Sequence, residues 1–295
     1  MDSASLLEWY RPRRRLYPWR RPRPHPYHVL VSEFMLQQTG AARVVPAFRS
    51  FIGVFPTVED LAAASRRDVL LAWAGLGYNR RAIWFSETAR RIVHDHAGEV
   101  PDRPDVLDRL PGIGPYTAAA IASIAYGVPV PAVDTNVRRV VARAVLGVDE
   151  PEAPPGVVYE AAKARIDQRD PAAWNQAVMD LGREICRPMP LCERCPLAHS
   201  CAFRSEGRTP AVRPPAKGVR FEGSFRQLRG TIIRVLRDRP AATLAALCAA
   251  SSQPVARVVS AVAALQTDGL VVAGPAALRG NMRGRVRLTG SVSRA

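Results

Sequence analysis

The sequence contains no apolar run approaching the ~20 residues of a membrane span, which excludes a bilayer-crossing helix and a membrane partner. No secretory apolar core follows its acidic-then-polar start, Met1-Asp2-Ser3, so a cytoplasmic setting is expected, nucleoid-associated in a bacterium. It has no internal repeat and no low-complexity tract, which excludes a solenoid or an array. It lacks a coiled-coil or interface signal, so a monomer is expected. No stretch of the first ~200 residues alternates as a strand does, which leaves a helical body with short connections. Acidic side chains are few, 26 against 42 basic ones, for a net charge of +16, and the excess is nearly all Arg. Such an imbalance calls for a polyanionic partner, because each neutralised phosphate releases counterions and the Arg fork matches phosphate geometry. A genome rich in G and C drives the same Arg, Ala and Pro usage. Charge alone therefore suggests nucleic acid and names no chemistry.

A length of 295 residues allows about two domains. Arg11 to Arg23 form a basic, Pro-rich arm containing Tyr17-Pro18-Trp19-Arg20. Beyond it, apolar spacing predicts helices over 29–38, 43–53, 57–63, 66–74, 80–96, 104–109, 115–126, 134–146, 155–168 and 171–184. Residues 205–224 have linker composition. Helices predicted at 225–237, 241–250 and 254–268 precede two short strands around Leu270-Val271-Val272 and Arg285-Val286-Arg287-Leu288. Three helices and a two-strand wing form a small winged-helix-like module, which either adds a DNA contact or packs as an appendage.

Leu110-Pro111-Gly112-Ile113-Gly114-Pro115-Tyr116 carries the first chemical signal. A short helix runs into a two-glycine turn that opens the next helix. Glycines permit positive φ and close backbone approach, and the unpaired N–H groups at the helix start form an anion site. Pro115 near the first helical position costs no hydrogen bond. Such a hairpin grips one phosphate without reading sequence; a plain interhelical turn is the alternative. Twenty residues after Gly114 stands Asp134, in Val133-Asp134-Thr135-Asn136. An Asp at a helix start is an N-cap or, in this context, a catalytic carboxylate. Hairpin, then Gly/Pro, then Asp resembles the helix-hairpin-helix DNA glycosylase superfamily.

Four cysteines, Cys186, Cys192, Cys195 and Cys201, are spaced C-x5-C-x2-C-x5-C. Four thiolates within sixteen residues can close around one metal centre, and zinc and a cubane cluster both accept them. A disulfide pair is disfavoured in a cytosolic chain. The superfamily resemblance, rather than the spacing, implies a [4Fe–4S] cluster. The first gap is one residue shorter than in those relatives, a departure that bears on loop geometry. Arg183, Arg187 and Arg194 flank the loop as candidate backbone contacts. Cys248 has the setting of a core residue.

Glu33 stands in Val31-Ser32-Glu33-Phe34-Met35-Leu36-Gln37-Gln38-Thr39, a carboxylate amid apolar neighbours. Burial there raises its pKa and favours the proton-carrying form; a surface Glu on an amphipathic helix is the plainer alternative. This string, with Leu76-Gly77-Tyr78 and Tyr17-Pro18-Trp19-Arg20, resembles the adenine DNA glycosylase (MutY-type) family over about residues 6–203. The resemblance implies a mainly α fold. Its lobes are residues 1–24 with 132–204, carrying the arm and iron–sulfur loop, and residues 25–131, carrying the hairpin. The linker 205–224 and the module 225–295 follow.

The resemblance also implies the chemistry: hydrolysis of the N-glycosidic bond of an adenine paired with 8-oxoguanine or guanine in duplex DNA. Glu33 is the implied general acid, and Asp134 supports the cationic sugar, as the paired carboxylates of sugar hydrolases do. Tyr116 and Asn136 are implied to hydrogen-bond around Asp134. Gln38 and Tyr78 are the implied wedge, with Thr39 and Leu76 near the opposite base and Gly112 and Gly114 on the backbone. Arg15, Trp19, Arg20, Gln176 and Met179 fall at adenine-pocket positions. Tyr116 stands where lyase-competent relatives carry a nucleophilic Lys, so strong strand cleavage is not expected. Thr135 and Asn79 depart from the family's usual Gly and second aromatic. Residues 225–295 are too few for the Nudix-like domain that reads 8-oxoguanine in many members, a departure that bears on the opposite base. Two other readings remain: a same-fold glycosylase for T:G pairs or oxidised pyrimidines, and a non-catalytic DNA-binding protein.

Overall fold

The computed structural model describes residues 1–210 and 220–290. In chain order the first helices are α1 (Ser3–Tyr10), α2 (Pro26–Leu36), α3 (Ala41–Val54), α4 (Val58–Ala63), α5 (Arg66–Ala72) and α6 (Arg80–His96). Next come α7 (Pro104–Leu107), α8 (Pro115–Tyr126), α9 (Thr135–Ala144), α10 (Pro155–Lys163), α11 (Pro171–Glu184) and α12 (Ala202–Ser205). The last part is α13 (Phe225–Asp238), β1 (Ala242–Thr243), α14 (Leu244–Ser251), α15 (Val255–Thr267), β2 (Val271–Ala273), α16 (Pro275–Leu278) and β3 (Arg285–Leu288). No single helix among the described residues is long and apolar enough to cross a membrane.

The chain forms two units, Met1–Gln37 with Glu99–Pro215, and Gln38–Gly98 with Ala216–Ala295. This division differs from the lobes expected from the sequence. The hairpin segment goes with the first unit because α8 packs on α2 and α11. Part of the expected linker, residues 211–219, lies outside the described residues.

In the first unit, Leu6, Leu7 and Tyr10 of α1 close a core with Val137, Val140 and Val141 of α9 and Trp174, Val178 and Leu181 of α11. Helix α1 was not expected from the sequence, where only the arm after it drew attention. It starts because Asp2 accepts from the Ala4 and Ser5 backbone N–H groups, satisfying donors that a helix start leaves open. Helix α2 is buried nearly all round, from Val29 to Met35, and so shows little amphipathic pattern.

In the second unit, Phe51, Trp73 and Phe85 make an aromatic core, with Phe51 stacked on Phe85 at 5.6 Å between ring centres and Trp73 edge-on to Phe51 at 6.1 Å. The C-terminal module of this unit has helices α13, α14 and α15 and an antiparallel sheet of order β1-β3-β2, a winged-helix arrangement. Val286 on β3 faces both Ala242 on β1 and Ala273 on β2. Strand β1 corrects the expected helix at 241–250. Residues 242–243 pair with β3, and α14 begins only after Thr243, whose hydroxyl accepts from the Ala246 N–H at 3.2 Å. Cys248, expected in the core, is half-buried.

Candidate active site

Glu33 lies in the middle of the buried α2 and is 6% exposed. Burial raises its carboxyl from the ordinary 4.5 to about 7. The Arg20 guanidinium opposes that shift, the Asp134 charge adds to it, and a hydrogen bond from Tyr116 opposes it. Tyr116 is the second residue of α8, directly behind Pro115, so the hairpin turn sets its position. Burial, then the charges of Glu33 and Asp134, push its phenol well above the ordinary value, so it stays a donor. Its hydroxyl also lies 3.9 Å from Met179 Sδ.

Asp134 caps α9. Its Oδ1 accepts from the backbone N–H groups of Asn136 (2.8 Å) and Val137 (2.7 Å), and its Oδ2 accepts from Asn136 Nδ2 (2.9 Å). The cap reading of this residue is therefore correct as geometry, and it leaves the carboxylate half-buried within electrostatic reach of Glu33 and Tyr116. Glu33, Tyr116, Asp134 and Asn136, far apart in the chain, thus share one neighbourhood within one unit.

Several residues that hold this neighbourhood escaped the sequence reading. Asn175 is fully buried. Its Oδ1 accepts from Ala132 N–H (2.8 Å), and its Nδ2 reaches Ser123 Oγ (2.8 Å), Val130 O (3.0 Å) and Pro171 O (3.1 Å). It joins α8, α11 and the segment that delivers Asp134. Arg139 donates from Nη2 to Asn136 Oδ1 (2.9 Å) and to Gly182 O (2.8 Å). Gly182 itself admits α9: an added Cβ would lie 2.7 Å from Asn136 Cβ and 2.9 Å from its carbonyl oxygen.

The residues expected to line a base pocket divide into two sets. Arg20 makes a two-pronged ion pair with buried Asp180, at 2.7 and 3.2 Å. Gln176 accepts from the Tyr10 hydroxyl at 2.7 Å through its Oε1. Trp19 is buried and stacks on Tyr17 at 5.1 Å. Arg15 is different: its side chain is 55% exposed and pairs with Glu184 at 3.5 Å. Asp180, one turn beyond Gln176 on α11, was legible as a same-face neighbour. Arg183, considered for backbone contact, is engaged with Asp180 and Glu184, each at 2.9 Å.

In the hairpin, Gly112 has φ +77°, which favours glycine, and Gln37 Nε2 donates to its carbonyl at 3.1 Å. Gly114 is extended instead and caps α8, with nothing beyond its own chain neighbours within 4 Å of where a Cβ would stand. Its glycine leaves room for a ligand rather than permitting a turn. The α8 start has no side-chain cap and is open to an anion.

In the second unit, Gln38 and Tyr78 both have left-handed backbones, at φ +56° and +46°, conformations costly for residues other than Gly. Both are exposed, whereas Thr39 and Leu76 are buried. Buried Arg81 ties the two loops, donating from Nη2 to Thr39 Oγ1 (3.0 Å) and Gly77 O (3.3 Å).

Cys186, Cys192, Cys195 and Cys201 are half-buried, and the Cys195 thiol feels the charges of the other three. Burial pushes it up to about 11. The loop has only short 3-10 turns. Buried Arg143 pins it through Nη1 to Arg187 O (2.7 Å) and Nη2 to Pro188 O (3.0 Å), and lies 4.0 Å from Cys186 Sγ. No three His, Cys, Asp or Glu side chains among the described residues close to hold a single metal ion.

Residues 31–163 match the family model described as HhH-GPD superfamily base excision DNA repair protein. Among solved structures, the chain is similar to a thermostable thymine-DNA glycosylase, at 28% identity and a TM-score of 0.64, over 69% of this chain and 95% of that one. A non-covalent endonuclease III–DNA complex shares the fold at a TM-score of 0.58. These set the class: a helix-hairpin-helix base-excision repair protein.

The adenine DNA glycosylase of Mycobacterium tuberculosis is 45% identical over 241 residues, covering 80% of this chain and 79% of that protein. The human adenine DNA glycosylase is 40% identical over 212 residues, 68% of this chain and 39% of that longer protein. The chain belongs to the adenine DNA glycosylase family.

Proposed function

We propose that this protein hydrolyses the N-glycosidic bond of an adenine mispaired with 8-oxoguanine or guanine in duplex DNA, initiating base excision repair. The observation that carries this reading is the Glu33 carboxyl, buried, raised to about 7 and hydrogen-bonded by Tyr116 in the electrostatic reach of Asp134. Cleaving the bond leaves an oxocarbenium-like sugar and an adenine anion, a poor leaving group without a proton. A carboxyl with a pKa near the working pH is suited to deliver that proton, a contribution of ~10²–10⁴-fold for general acid catalysis. The carboxylate left behind then activates the attacking water. Asp134, held by Asn136 and two backbone N–H groups, supports the positive sugar without having to move.

The target base must leave the stack to reach these groups. Gln38 and Tyr78, exposed on left-handed turns, suit the wedge that fills the gap. The hairpin and the net charge of +16 suit a phosphate grip. Arg20, Trp19, Gln176 and Met179 suit the base pocket.

The cysteine loop fits an iron–sulfur group. Four half-buried thiols, one of them Cys186 at 4.0 Å from the buried Arg143 guanidinium, lie in a loop with little secondary structure of its own. A cubane takes one thiolate per iron and asks for a wider set than one zinc ion does. Cys186, Cys192, Cys195 and Cys201 would hold a [4Fe–4S] cluster. When bound, it would order this loop rather than enter the reaction.

The test is excision from labelled duplexes carrying A opposite 8-oxoguanine, G or C, and T opposite G, read by alkaline cleavage at the abasic site. Cleavage of the adenine strand opposite 8-oxoguanine or G is expected, with no borohydride-trapped adduct. Glu33→Gln and Asp134→Asn each lose turnover while keeping DNA affinity. Full activity in either variant removes that residue's role, and preferential T:G cleavage replaces the substrate assignment.

A further inference from the structure

The Tyr78 ring is held by two guanidiniums. Arg81, from α6, lies 5.4 Å from the ring centre, and Arg226, from α13 of the C-terminal module, lies 5.7 Å from it. Arg226 also donates from Nη1 to the Tyr78 hydroxyl at 2.8 Å, and its guanidinium lies 5.1 Å from the Phe221 ring centre. Three turns further along α13, Arg237 Nη2 donates to Asn79 Oδ1 at 3.1 Å. Residues 226 and 237 share a helix face, so one side of α13 engages both members of the Tyr78-Asn79 turn. That turn is left-handed at Tyr78, a conformation an aromatic residue keeps only where its surroundings hold it.

Helix α15 of the module does not look like a groove reader. The exposed positions of α15, the second helix of its helix-turn-helix, are Ala256, Ser260, Ala263, Gln266 and Thr267. The first three carry little that distinguishes base edges, Gln266 Oε1 accepts from Ala273 N–H at 2.7 Å, and the Thr267 hydroxyl donates to Ala263 O at 3.2 Å. Arg257 on this helix is turned back to Gln253 Oε1 (2.7 Å) and Gly223 O (2.5 Å).

We propose that the winged-helix module acts through α13 as a clamp on the wedge turn, with Arg226 as the positioning residue that sets the Tyr78 phenol and thereby the enzyme's discrimination between bases opposite the target. The proposal rests on the reading of Tyr78 as the wedge given above. Arg226 acts through Tyr78, the residue its guanidinium bonds and covers.

The experiment uses the full chain with Arg226→Ala, Arg226→Lys, Tyr78→Phe and the double variant Arg226→Ala/Tyr78→Phe. Single-turnover excision rates are measured with enzyme in excess on A opposite 8-oxoguanine, G and C. Arg226→Ala is expected to change the ratio of these rates about tenfold, the scale of one charge-assisted hydrogen bond. Tyr78→Phe changes it similarly, and the double variant is no worse than the poorer single one, because both remove the same contact. Arg226→Lys restores part of the ratio, since an ammonium can donate to the phenol but does not stack as a guanidinium does. Unchanged ratios in Arg226→Ala overturn the proposal. So does an equal loss of affinity for every duplex with a shallower salt dependence, which is the mark of a phosphate contact.

A second readout needs no DNA. With fluorotyrosine incorporated, the Tyr78 fluorine resonance, assigned by its loss in Tyr78→Phe, shifts in free Arg226→Ala protein if the clamp exists. An unmoved resonance also overturns the proposal. Wild-type protein inactive on every adenine mispair counts against the functional reading itself, while the fluorine shift still decides whether Arg226 holds Tyr78.

Discussion

Tyr116 hydrogen-bonds the Glu33 carboxyl from the first turn of α8, so the same glycine turn that opens an anion site also aims a phenol at a buried acid. Two residue steps, from Gly114 through Pro115 to Tyr116, separate the open helix start from the phenol beside Glu33.

The pH dependence follows from Glu33. With Glu33 as the proposed general acid, excision needs its protonated form, and the single-turnover rate should fall as pH rises through about 7. Stability carries the same sign. The raised carboxyl binds its proton more tightly in the folded state than in the unfolded one, so its contribution is full below about 4.5 and is lost as pH rises through about 7. Glu33→Gln lacks that loss and should be more stable than wild type at pH 8 by up to about 3 kcal/mol. Denaturant melts of both proteins at pH 5 and pH 8 measure the difference.

Tyr116→Phe removes the hydrogen bond that pulls the Glu33 carboxyl downward. The falling limb of the pH–rate profile should move to higher pH, with DNA affinity preserved. A limb that stays in place would detach the phenol from the acid.

Arg20 is the cation that most opposes the rise of Glu33 and also the two-pronged partner of buried Asp180. Arg20→Met should therefore shift the same limb upward and destabilise the protein by on the order of 3 kcal/mol, because it strips a partner from a buried charge. Adding Asp180→Asn should return part of the stability without returning the limb. Thermal melts and pH–rate profiles of the single and double variants separate the two effects.

Gly182→Ala places a methyl group 2.7 Å from Asn136 Cβ. The α9 start must move, and with it the Asp134 cap. Overpacking of this kind costs about 1–3 kcal/mol. A fall in Tm accompanied by slower excision is expected, and wild-type values for both would show that the interface gives way elsewhere.

Cys195→Ser removes one of four thiols from a loop that has only short turns to order it. Iron content per chain should fall, with a lower Tm, since ligation supplies folding energy to such loops. Zinc in place of iron in the purified wild-type protein would overturn the cluster assignment.

Helix positions in the body were legible because their apolar spacing is regular. The span of α6 is Arg80–His96 and that of α11 is Pro171–Glu184, both as expected from the pattern. Helix α1 was not read because its start depends on Asp2 capping, and β1 was not read because two residues carry no period. Glu33 could be singled out because an acid in an apolar string is anomalous locally, whereas Tyr116 and Asp134 stood out through their places in the hairpin-to-Asp pattern, an Asp at a helix start being by itself an ordinary cap. Asn175, Gly182 and Arg143 could not. Their partners lie in other elements, and a polar residue on an amphipathic helix looks the same whether it faces water or a buried bracket. The grip of Arg226 on Tyr78 spans 148 positions and depends on tertiary placement alone.

Asn175 has a consequence of its own. A single amide bridges α8, α11 and the run that ends at Asp134, and its bonds to Ala132 N–H and Ser123 Oγ are shielded from water. The Ala132 amide proton cannot exchange with solvent unless that bridge opens. It should therefore be among the slowest in the chain to take up deuterium, and its exchange would report the opening of the whole carboxylate neighbourhood.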